Sequence, residues 1–354
     1  MKLSVISFTK KGMLLSKRLA EALDTGEIVL YSKHSGEPET ESQYVLMPVE
    51  ERIGEWAGKQ MKEKNALLFI GACGIAVRAI APFVTDKLHD GPVLVMDEKG
   101  EYVIPLLSGH IGGANELAYR IAEKTGAVPV ITTATDINEK FAVDLFAKKN
   151  GLRIVNKEGI ARVSSKVLAE KEITMSIESG HWNESGNIPK GIRMISYPPR
   201  EFVDIVISTS TENFDAAIRL EPREYVVGMG CRKGREAGKI AALITKSMGE
   251  LGISQDQILA IASIDVKKEE QGILSWSREN NVPFITYAAD ELMKVKGDFH
   301  PSAFVMERVG VDNVCERAAI KACGEGRLIL DKRAEEGMTI AVAKREWSVV
   351  FDGK

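Results

Sequence analysis

The segment from Pro105 to Glu116 carries the densest group of residues that could do chemistry. It reads P-L-L-S-G-H-I-G-G-A-N-E and completes an apolar run, so it predicts a strand, a glycine-rich turn and a helix. Glycines let a backbone approach a ligand closely, and unpaired N–H groups at a helix N-terminus attract anions. His110 adds a group that titrates near neutral pH. The segment therefore predicts a site for a negatively charged ligand with His110 as acid or base; an ordinary corner of an α/β fold is the alternative.

Two further glycine-rich turns are suited to anions. Gly71-Ala72-Cys73-Gly74 follows an apolar strand and leads into a helix that carries Arg78. The residues from Gly228 to Arg235 read G-M-G-C-R-K-G-R, and their cations suit carboxylates or phosphates. The glycine spacing departs by one residue from the dinucleotide fingerprint. That fingerprint also needs an acidic residue roughly 20 residues further on, at the end of the next strand, whereas here the next strand ends near Asp265, farther away than that. An anion site and a solvated basic turn are the two interpretations.

A polar turn from Val309 to Glu316 leads into another predicted helix. Asp312 or Asn313 can cap that helix, which puts Cys315 in its first turn, where the helix dipole lowers the pKa of a thiol. A helix cap with a packed cysteine is the alternative and the preferred interpretation. The pattern does not favour a cysteine protease, because no histidine is close to Cys315 in the sequence.

Composition narrows the class of protein. A chain of 354 residues predicts two or three domains, and 44% hydrophobic with 27% charged residues is typical of a globular protein. A net charge of −3 and 6% aromatic residues do not favour nucleic acid as a partner. The longest apolar run is too short for a bilayer and no signal peptide is recognised, so we expect a cytoplasmic protein with no membrane partner. Four scattered cysteines indicate neither a disulfide framework nor a zinc site.

Strand and helix patterns alternate along the chain. Residues 1–137 and 222–354 predict two open, mostly parallel α/β domains, and the shorter strands of residues 138–221 predict a smaller α/β middle module. Asp97 to Gly100 predicts a hairpin turn between two strands of the first domain. A helix is predicted from Val311 to Ala322.

Four motifs in this order resemble the cobalamin biosynthesis protein G family, the cobalt-precorrin-5A hydrolases of the anaerobic corrin pathway. They are F-I-G-A-C-G-I-A-V-R-A-I-A-P at 69–82, P-L-L-S-G-H-I-G-G-A-N at 105–115, G-M-G-C-R-K-G at 228–234 and V-G-V-D-N-V-C-E at 309–316. The resemblance covers nearly the whole chain. The C-terminal part also resembles a protein that occurs alone in the aerobic pathway.

The resemblance implies a hydrolase that acts on a carbon–carbon bond. Its substrate is a cobalt-containing tetrapyrrole; water opens the δ-lactone and a two-carbon fragment leaves as acetaldehyde. Cobalt arrives with the substrate, so no cofactor and no metal site of the protein are expected. A homodimer and contacts with neighbouring corrin-pathway enzymes are the expected assemblies. A non-catalytic protein that binds and hands over corrinoid intermediates is the alternative, and a nucleotide-dependent oxidoreductase using Gly228 to Gly234 is a third.

For this reaction His110 is the candidate base, with Ser108 and Glu116 as further candidate catalytic residues. The candidate substrate-binding residues supply N–H and guanidinium donors for carboxylate arms. They are Gly71, Cys73, Gly74, Arg78, Gly109, Gly112, Gly113, Asn115, Gly228, Gly230, Cys231, Arg232, Arg235, Asn313 and Glu316.

Overall fold

The chain folds into two compact units, Met1–Leu145 and Phe146–Lys354. The computed structural model describes residues 2–23, 27–34, 44–86, 90–110, 112–138, 140–182, 187–324 and 326–351. Strands and helices alternate in both units, which confirms the predicted α/β class. Over the described ranges, the helices are all too short or too polar to cross a bilayer.

The first unit is built on a seven-stranded sheet. Its strands are β1 (Leu3–Ser7), β2 (Ile28–Ser32), β3 (Leu46–Pro48), β4 (Ala66–Ile70), β5 (Val93–Met96), β6 (Tyr102–Leu107) and β7 (Val128–Pro129). They lie in the order β3-β2-β1-β4-β5-β6-β7, and neighbours are parallel except β5 and β6. The helices are α1 (Lys10–Ala22), α2 (Ile53–Lys62), α3 (Cys73–Ile80), α4 (Ala114–Thr125) and α5 (Ala134–Ile137), with a 3-10 turn at Ala81–Phe83.

Helices cover both faces of this sheet, because its central strands are apolar on both sides. The strand β4 reads A-L-L-F-I and is buried throughout. Leu68 lies in one core with Leu19 of α1 and Ile121 of α4, whereas Phe69 lies in the other core with Trp56 of α2. Successive residues of a strand point to opposite faces, and an unbroken apolar run is typical of a parallel strand buried on both.

The turn at residues 97–100 reverses the chain, and this decides where the glycine-rich turns lie. The carboxylate of Asp97 accepts hydrogen bonds from the N–H groups of Lys99 (2.9 Å) and Tyr102 (2.6 Å). The predicted hairpin is confirmed, because β6 pairs antiparallel to β5 with Leu107 opposite Val93. The turn after β6 therefore lies at the amino end of β5, whereas the turn after β4 lies at the opposite edge of the sheet.

The second unit begins with a five-stranded sheet. Its strands are β8 (Leu152–Ile154), β9 (Ile173–Ile177), β10 (Ile192–Ile195), β11 (Val203–Ile207) and β12 (Ala216–Pro222). They lie in the order β10-β9-β11-β12-β8, and only the pair of β8 and β12 is antiparallel. The helix α6 (Val143–Lys149) precedes this sheet and α7 (Glu158–Leu168) packs on it.

The C-terminal sheet also has five strands. Its strands are β13 (Tyr225–Cys231), β14 (Ile258–Ile264), β15 (Phe284–Tyr287), β16 (Gly326–Glu335) and β17 (Met338–Arg345), in the order β15-β14-β13-β17-β16. β13, β14 and β15 are parallel, whereas β17 is antiparallel to both of its neighbours and β16 has two register shifts. The helices are α8 (Ala237–Glu250), α9 (Gln271–Glu279), α10 (Ala289–Met293), α11 (Ala303–Val309) and α12 (Cys315–Cys323), with 3-10 turns at Gln255–Gln257 and Asp265–Lys267.

One predicted helix begins later than expected. The helix predicted from Val311 is α12, which begins at Cys315, because the Asn313 side chain accepts a hydrogen bond from the Glu316 N–H (2.9 Å). The helix α11 before it was not predicted; it ends where Gly310 adopts the left-handed conformation (φ 72°).

The middle and C-terminal sheets belong to one compact unit. The ring of His181 stacks on that of Trp347 at a centroid distance of 3.8 Å, and its Nδ1 lies 2.8 Å from the Trp347 carbonyl oxygen. The predicted division into three domains at residues 138 and 222 stays a prediction.

Candidate active site

A cavity of about 850 Å³ opens at the carboxyl ends of β13 and β14. In open α/β sheets this edge is the usual place for a ligand. Most of the side chains that line the cavity are cationic or apolar. The cationic ones are Arg232, Lys233, Lys267, Arg308 and Lys332. The large apolar ones include Ile264, Val266, Phe304, Val305, Val314 and Met338.

The charge of the cavity is of one sign. Among the residues that the structure describes, neither aspartate nor glutamate lines it. Lys267 is neutralised by an ion pair with Glu270 (3.3 Å), whereas the side chains of Arg232 and Lys233 have no ion pair with described residues. The cavity therefore attracts an anion with more than one negative group.

The apolar part of the cavity wall is exposed to solvent. Phe304 is 63% exposed and Val266 is 64% exposed, although such side chains are usually buried. Arg308 lies one helical turn after Phe304, with its guanidinium carbon 5.3 Å from the centre of the ring. A ligand for this cavity has an apolar face as well as negative groups.

Glu270 holds the basic turn in place. This buried carboxylate accepts hydrogen bonds from the N–H groups of Gly234 (2.8 Å) and Arg235 (3.2 Å), besides its ion pair with Lys267. Sequence reasoning missed Glu270 because it lies 36 residues after Gly234, directly before α9. The structure places Gly230, Cys231 and Arg232 in the cavity wall and Arg235 outside it; substrate binding by these residues stays a prediction.

Two glycines of the β13 motif allow close approach. An added Cβ at Gly228 would overlap the main-chain carbonyl oxygen of Cys315, so this glycine lets α12 pack directly on the strand. An added Cβ at Gly230 would lie 2.6 Å from the Thr339 Oγ1 of β17. Gly228 lies beneath α12 and not in the cavity wall, so its assignment to substrate binding stays a prediction.

The start of α12 forms another wall of the cavity. Asn313 is buried, and its Nδ2 donates to the His300 carbonyl oxygen (2.9 Å) and to the Glu316 carboxylate. Cys315 also lines the cavity, and burial raises the pKa of its thiol to about 11. The expectation that the helix dipole lowers this pKa is wrong, because desolvation outweighs the dipole at a buried thiol. The alternative, a packed cysteine beside a helix cap, is confirmed.

Glu316 is completely buried beside this cavity. Its carboxylate accepts hydrogen bonds from the N–H of Lys332 (2.7 Å), the N–H of His300 (2.8 Å) and the Asn313 amide. Burial alone would raise the pKa of Glu316, but these donors and His300 hold it below its usual value. Substrate binding by Glu316 stays a prediction; the contacts that the structure shows are to the protein itself.

His300 pairs with this buried carboxylate. Its Nδ1 lies 2.9 Å from Glu316 Oε1, and its side chain is 65% exposed. The Glu316 carboxylate raises the pKa of His300 above its ordinary value, mainly through this hydrogen bond. No glycine-rich motif surrounds His300, and its partner is 16 residues away in sequence, so sequence reasoning missed the pair.

The pair has a third polar neighbour. Ligand atoms of His300, Glu316 and Asp331 lie within 4.8 Å of one another. Both oxygens of Glu316 already accept hydrogen bonds from N–H groups, which would have to break before this carboxylate could bind a cation. We therefore interpret the group as a hydrogen-bonded pair rather than a metal centre. That the protein needs no metal of its own stays a prediction.

In the first unit, the Gly71 turn lies where the strand order reverses. The chain runs from β1 to β2 on one side and reaches β4 on the other, so the carboxyl ends of β1 and β4 enclose a crevice. Gly71 follows β4, and an added Cβ there would lie 3.0 Å from the Phe8 ring. Arg78 is exposed and its guanidinium lies over the first turn of α3, 3.3 Å from a Cβ added at Gly74. Cys73 begins α3 and is half-buried.

The Ser108 turn lies at the opposite edge of that sheet, because β6 is antiparallel to β5. Ser108 adopts the left-handed conformation (φ 57°), and its buried hydroxyl has no hydrogen-bond partner among the described residues. An added Cβ at Gly109 would lie 2.7 Å from the Asn115 Oδ1, and one at Gly112 would overlap the Ser108 side chain. The glycines thus make a tight turn. The sequence did not indicate that the Gly71 and Ser108 turns are separated by the length of a strand.

His110 has a carboxylate partner that sequence reasoning missed. Its Nδ1 lies 3.5 Å from Asp144 Oδ2, and both side chains are largely buried. The N–H of Gly113 donates to the His110 carbonyl oxygen (3.0 Å), and the Nδ2 of Asn115 donates to Thr133 (3.2 Å). Glu116 lies on the exposed face of α4. The catalytic assignments of Ser108, His110 and Glu116 stay predictions.

Comparison with known proteins gives consistent matches. Residues 55–136 match the family model "Cobalamin synthesis G N-terminal", and residues 225–343 match "Cobalamin synthesis G C-terminus". The chain is 32% identical over 352 residues to "Cobalt-precorrin-5A hydrolase" of Salmonella typhimurium, covering 96% of this chain and 97% of that protein. It is 31% identical over 354 residues to the protein of the same name from Priestia megaterium, covering 96% of this chain and 94% of that protein. A solved structure described as a cobalamin biosynthesis protein G homolog from Sulfolobus solfataricus covers 98% of this chain and 97% of that chain, at 24% identity and a TM-score of 0.40.

Proposed function

The chain belongs to the cobalamin synthesis G family, and on this premise we propose that it hydrolyses cobalt-precorrin-5A. The proposed reaction opens the δ-lactone of this cobalt-containing tetrapyrrole and releases acetaldehyde. The bond finally broken is a carbon–carbon bond. Cobalt is carried by the substrate.

The composition of the C-terminal cavity is the observation that carries this proposal. Its volume falls within the range of small-molecule sites, and its wall combines exposed apolar side chains with cations and no acid among the described residues. A ring-contracted tetrapyrrole has the matching chemistry, with an apolar macrocycle and several acetate and propionate arms. Arg232, Arg308 and the lysines are suited to charge-assisted hydrogen bonds with these arms, and Phe304 is suited to the macrocycle.

The first step adds water across the ester. His110, oriented by Asp144, takes a proton from water while the water oxygen bonds to the lactone carbonyl carbon. The ring C–O bond then breaks, and the freed oxygen recovers the proton as a hydroxyl. The N–H groups of Gly109 and Gly112 are the donors that we propose for the carbonyl oxygen as its charge develops, because neither has a partner among the described residues.

The second step breaks a carbon–carbon bond. The freed hydroxyl loses its proton, its C–O bond becomes the carbonyl of acetaldehyde, and the electron pair of the broken bond stays on the conjugated macrocycle. Water enters in the first step and acetaldehyde leaves in the second, so no oxidant or reductant is needed.

The direct test is to incubate the purified chain with cobalt-precorrin-5A, trap the acetaldehyde and weigh the corrinoid by mass spectrometry. A hydrolase gives one acetaldehyde for each substrate lost. A protein that only binds and hands over corrinoids returns the substrate unchanged from the complex, which would refute the proposal. A homodimer and contacts with other corrin-pathway enzymes are also proposed, and light scattering of the purified chain tests the first.

A further inference from the structure

The His300–Glu316 pair contacts residues that line the C-terminal cavity, although neither member of the pair is itself part of the lining. Asn313 and Lys332 both line the cavity, and both donate to the His300 carbonyl oxygen, at 2.9 Å and 3.3 Å. Ser302, two residues further on, lines the cavity as well. The backbone of His300 is therefore fixed to the cavity wall, while its ring is open to solvent.

The pair has the arrangement of an oriented base. The 2.9 Å contact from Glu316 to Nδ1 leaves Nε2 as the ring nitrogen that can accept a proton. Glu316 is itself fixed by the N–H groups of Lys332 and His300 and by the Asn313 amide. A carboxylate held this way selects the tautomer of an imidazole and stabilises the imidazolium that forms when it takes a proton.

The acidic groups around His300 favour the same outcome. Asp298 and Asp331 both act with Glu316 to favour the protonated ring. The nearby cations are Lys332 of β16, whose Nζ lies 3.3 Å from the His300 carbonyl oxygen, and Arg317, whose guanidinium lies over the Phe299 ring. The three carboxylates together stabilise the imidazolium that forms when His300 takes a proton.

We propose that His300 is the general base for acetaldehyde release and that Glu316 is its positioning residue. The proposal rests on the proposed function. Nε2 removes the proton from the hydroxyl freed by lactone opening; the C–O bond becomes a carbonyl, the C–C bond breaks, and its electron pair stays on the macrocycle.

The assignment to this second step follows from what happens to the proton. In lactone opening the base returns its proton to the leaving oxygen, so it need not hold it. In acetaldehyde release the base must hold the proton while the electron pair moves into the macrocycle, as a stabilised imidazolium can. The two-carbon fragment is at the edge of the substrate ring, and a solvent-exposed base beside the cavity wall suits a leaving group that escapes into water.

The test is to follow the corrinoid and the acetaldehyde separately in His300→Ala. The lactone-opened hydroxy acid, heavier than the substrate by one water, should accumulate, and acetaldehyde release should fall by about 10²–10⁴-fold. Because the ring is exposed, added imidazole should restore part of the release. His34→Ala is the matched control, since His34 is also exposed and has no carboxylate partner among the residues that the structure describes; it should behave as the unaltered chain.

The pH dependence supplies a readout that a structural role would not move. His300 acts as a base when neutral, so release should rise with pH through a pKa above the ordinary 6.5. Glu316→Gln should move this limb down towards 6.5. Acetaldehyde release within a few-fold of the unaltered chain in His300→Ala overturns the proposal, and so does accumulation of unopened substrate. Failure of the unaltered chain to release acetaldehyde would instead refute the proposed function.

Discussion

Replacing Gly228 by alanine tests the close packing of α12 on β13. The new Cβ would overlap the Cys315 carbonyl oxygen and lie 2.8 Å from its carbon and 2.9 Å from the Ala319 Cβ. Ordinary carbon contacts begin near 3.4 Å. The helix must therefore move away from the sheet, because the obstructing atoms belong to its own backbone and cannot rotate aside.

The expected cost is at the upper end of the range for overpacking a core, about 3 kcal/mol of unfolding free energy. With a urea slope of about 3 kcal/mol per molar, the midpoint should fall by about 1 M. The shift of α12 also displaces Val314 and Cys315 from the cavity wall, so affinity for the substrate should fall as well.

Urea unfolding followed by circular dichroism measures the first effect, and titration of the corrinoid absorbance measures the second. Gly238→Ala is the matched control, since Gly238 lies in α8 and an added Cβ there meets nothing within 4 Å. It should stabilise the chain by at most about 1 kcal/mol, through helix propensity alone. An unchanged midpoint for Gly228→Ala would show that α12 does not pack on β13 as described.

Three further outcomes are expected. Arg232→Ala should raise KM and leave kcat nearly unchanged, because contacts to carboxylates that are equally strong in the ground state and the transition state do not speed the reaction. The control is Arg333→Ala, because the Arg333 side chain pairs with Glu250 away from the cavity. A large fall in kcat for Arg232→Ala would contradict this role. His110→Gln should lower kcat by about 10²–10⁴-fold, and a rate within a few-fold of the unaltered chain would leave His110 only as a hydrogen-bond donor. In alkylation assays at pH 8, Cys315 should stay unreacted, because burial raises the pKa of its thiol to about 11. Bound corrinoid should protect Cys231, which lines the cavity. Rapid labelling of Cys315 would contradict its burial.

Patterns within one segment were predictable, and contacts between distant segments were not. The glycines and cations from Gly228 to Arg235 predicted a turn suited to anions, because these residue types reveal local backbone geometry and charge. In the structure Gly228 to Cys231 belong to the strand β13 itself, and the turn begins only after them. Lys267 reaches the C-terminal cavity from the 3-10 turn after β14 and Lys332 reaches it from β16, and nothing next to them in the sequence marks them. The exposed ring of Phe304 looks like an ordinary core residue in sequence, since exposure is decided by what packs around it.

The hairpin at residues 97–100 illustrates the same limit in another way. Its turn was predictable, because Asp97 and Gly100 are the residue types that such a turn requires. Its effect on the placement of the Ser108 turn was not anticipated, since that depends on which strand β6 joins. The pairs His110–Asp144 and His300–Glu316 join residues 34 and 16 positions apart, and only the folded chain brings them together.

The outer strand of the C-terminal sheet bears on how these molecules behave at high concentration. β16 is ten residues long and forms the border of its sheet, so its unpaired backbone groups are a template on which another chain could add a strand. Its two register shifts break that template, and the charged side chains of Arg327, Asp331, Arg333 and Glu335 disfavour the addition of another strand. Concentrated solutions of the protein should therefore not form fibres by strand pairing at β16.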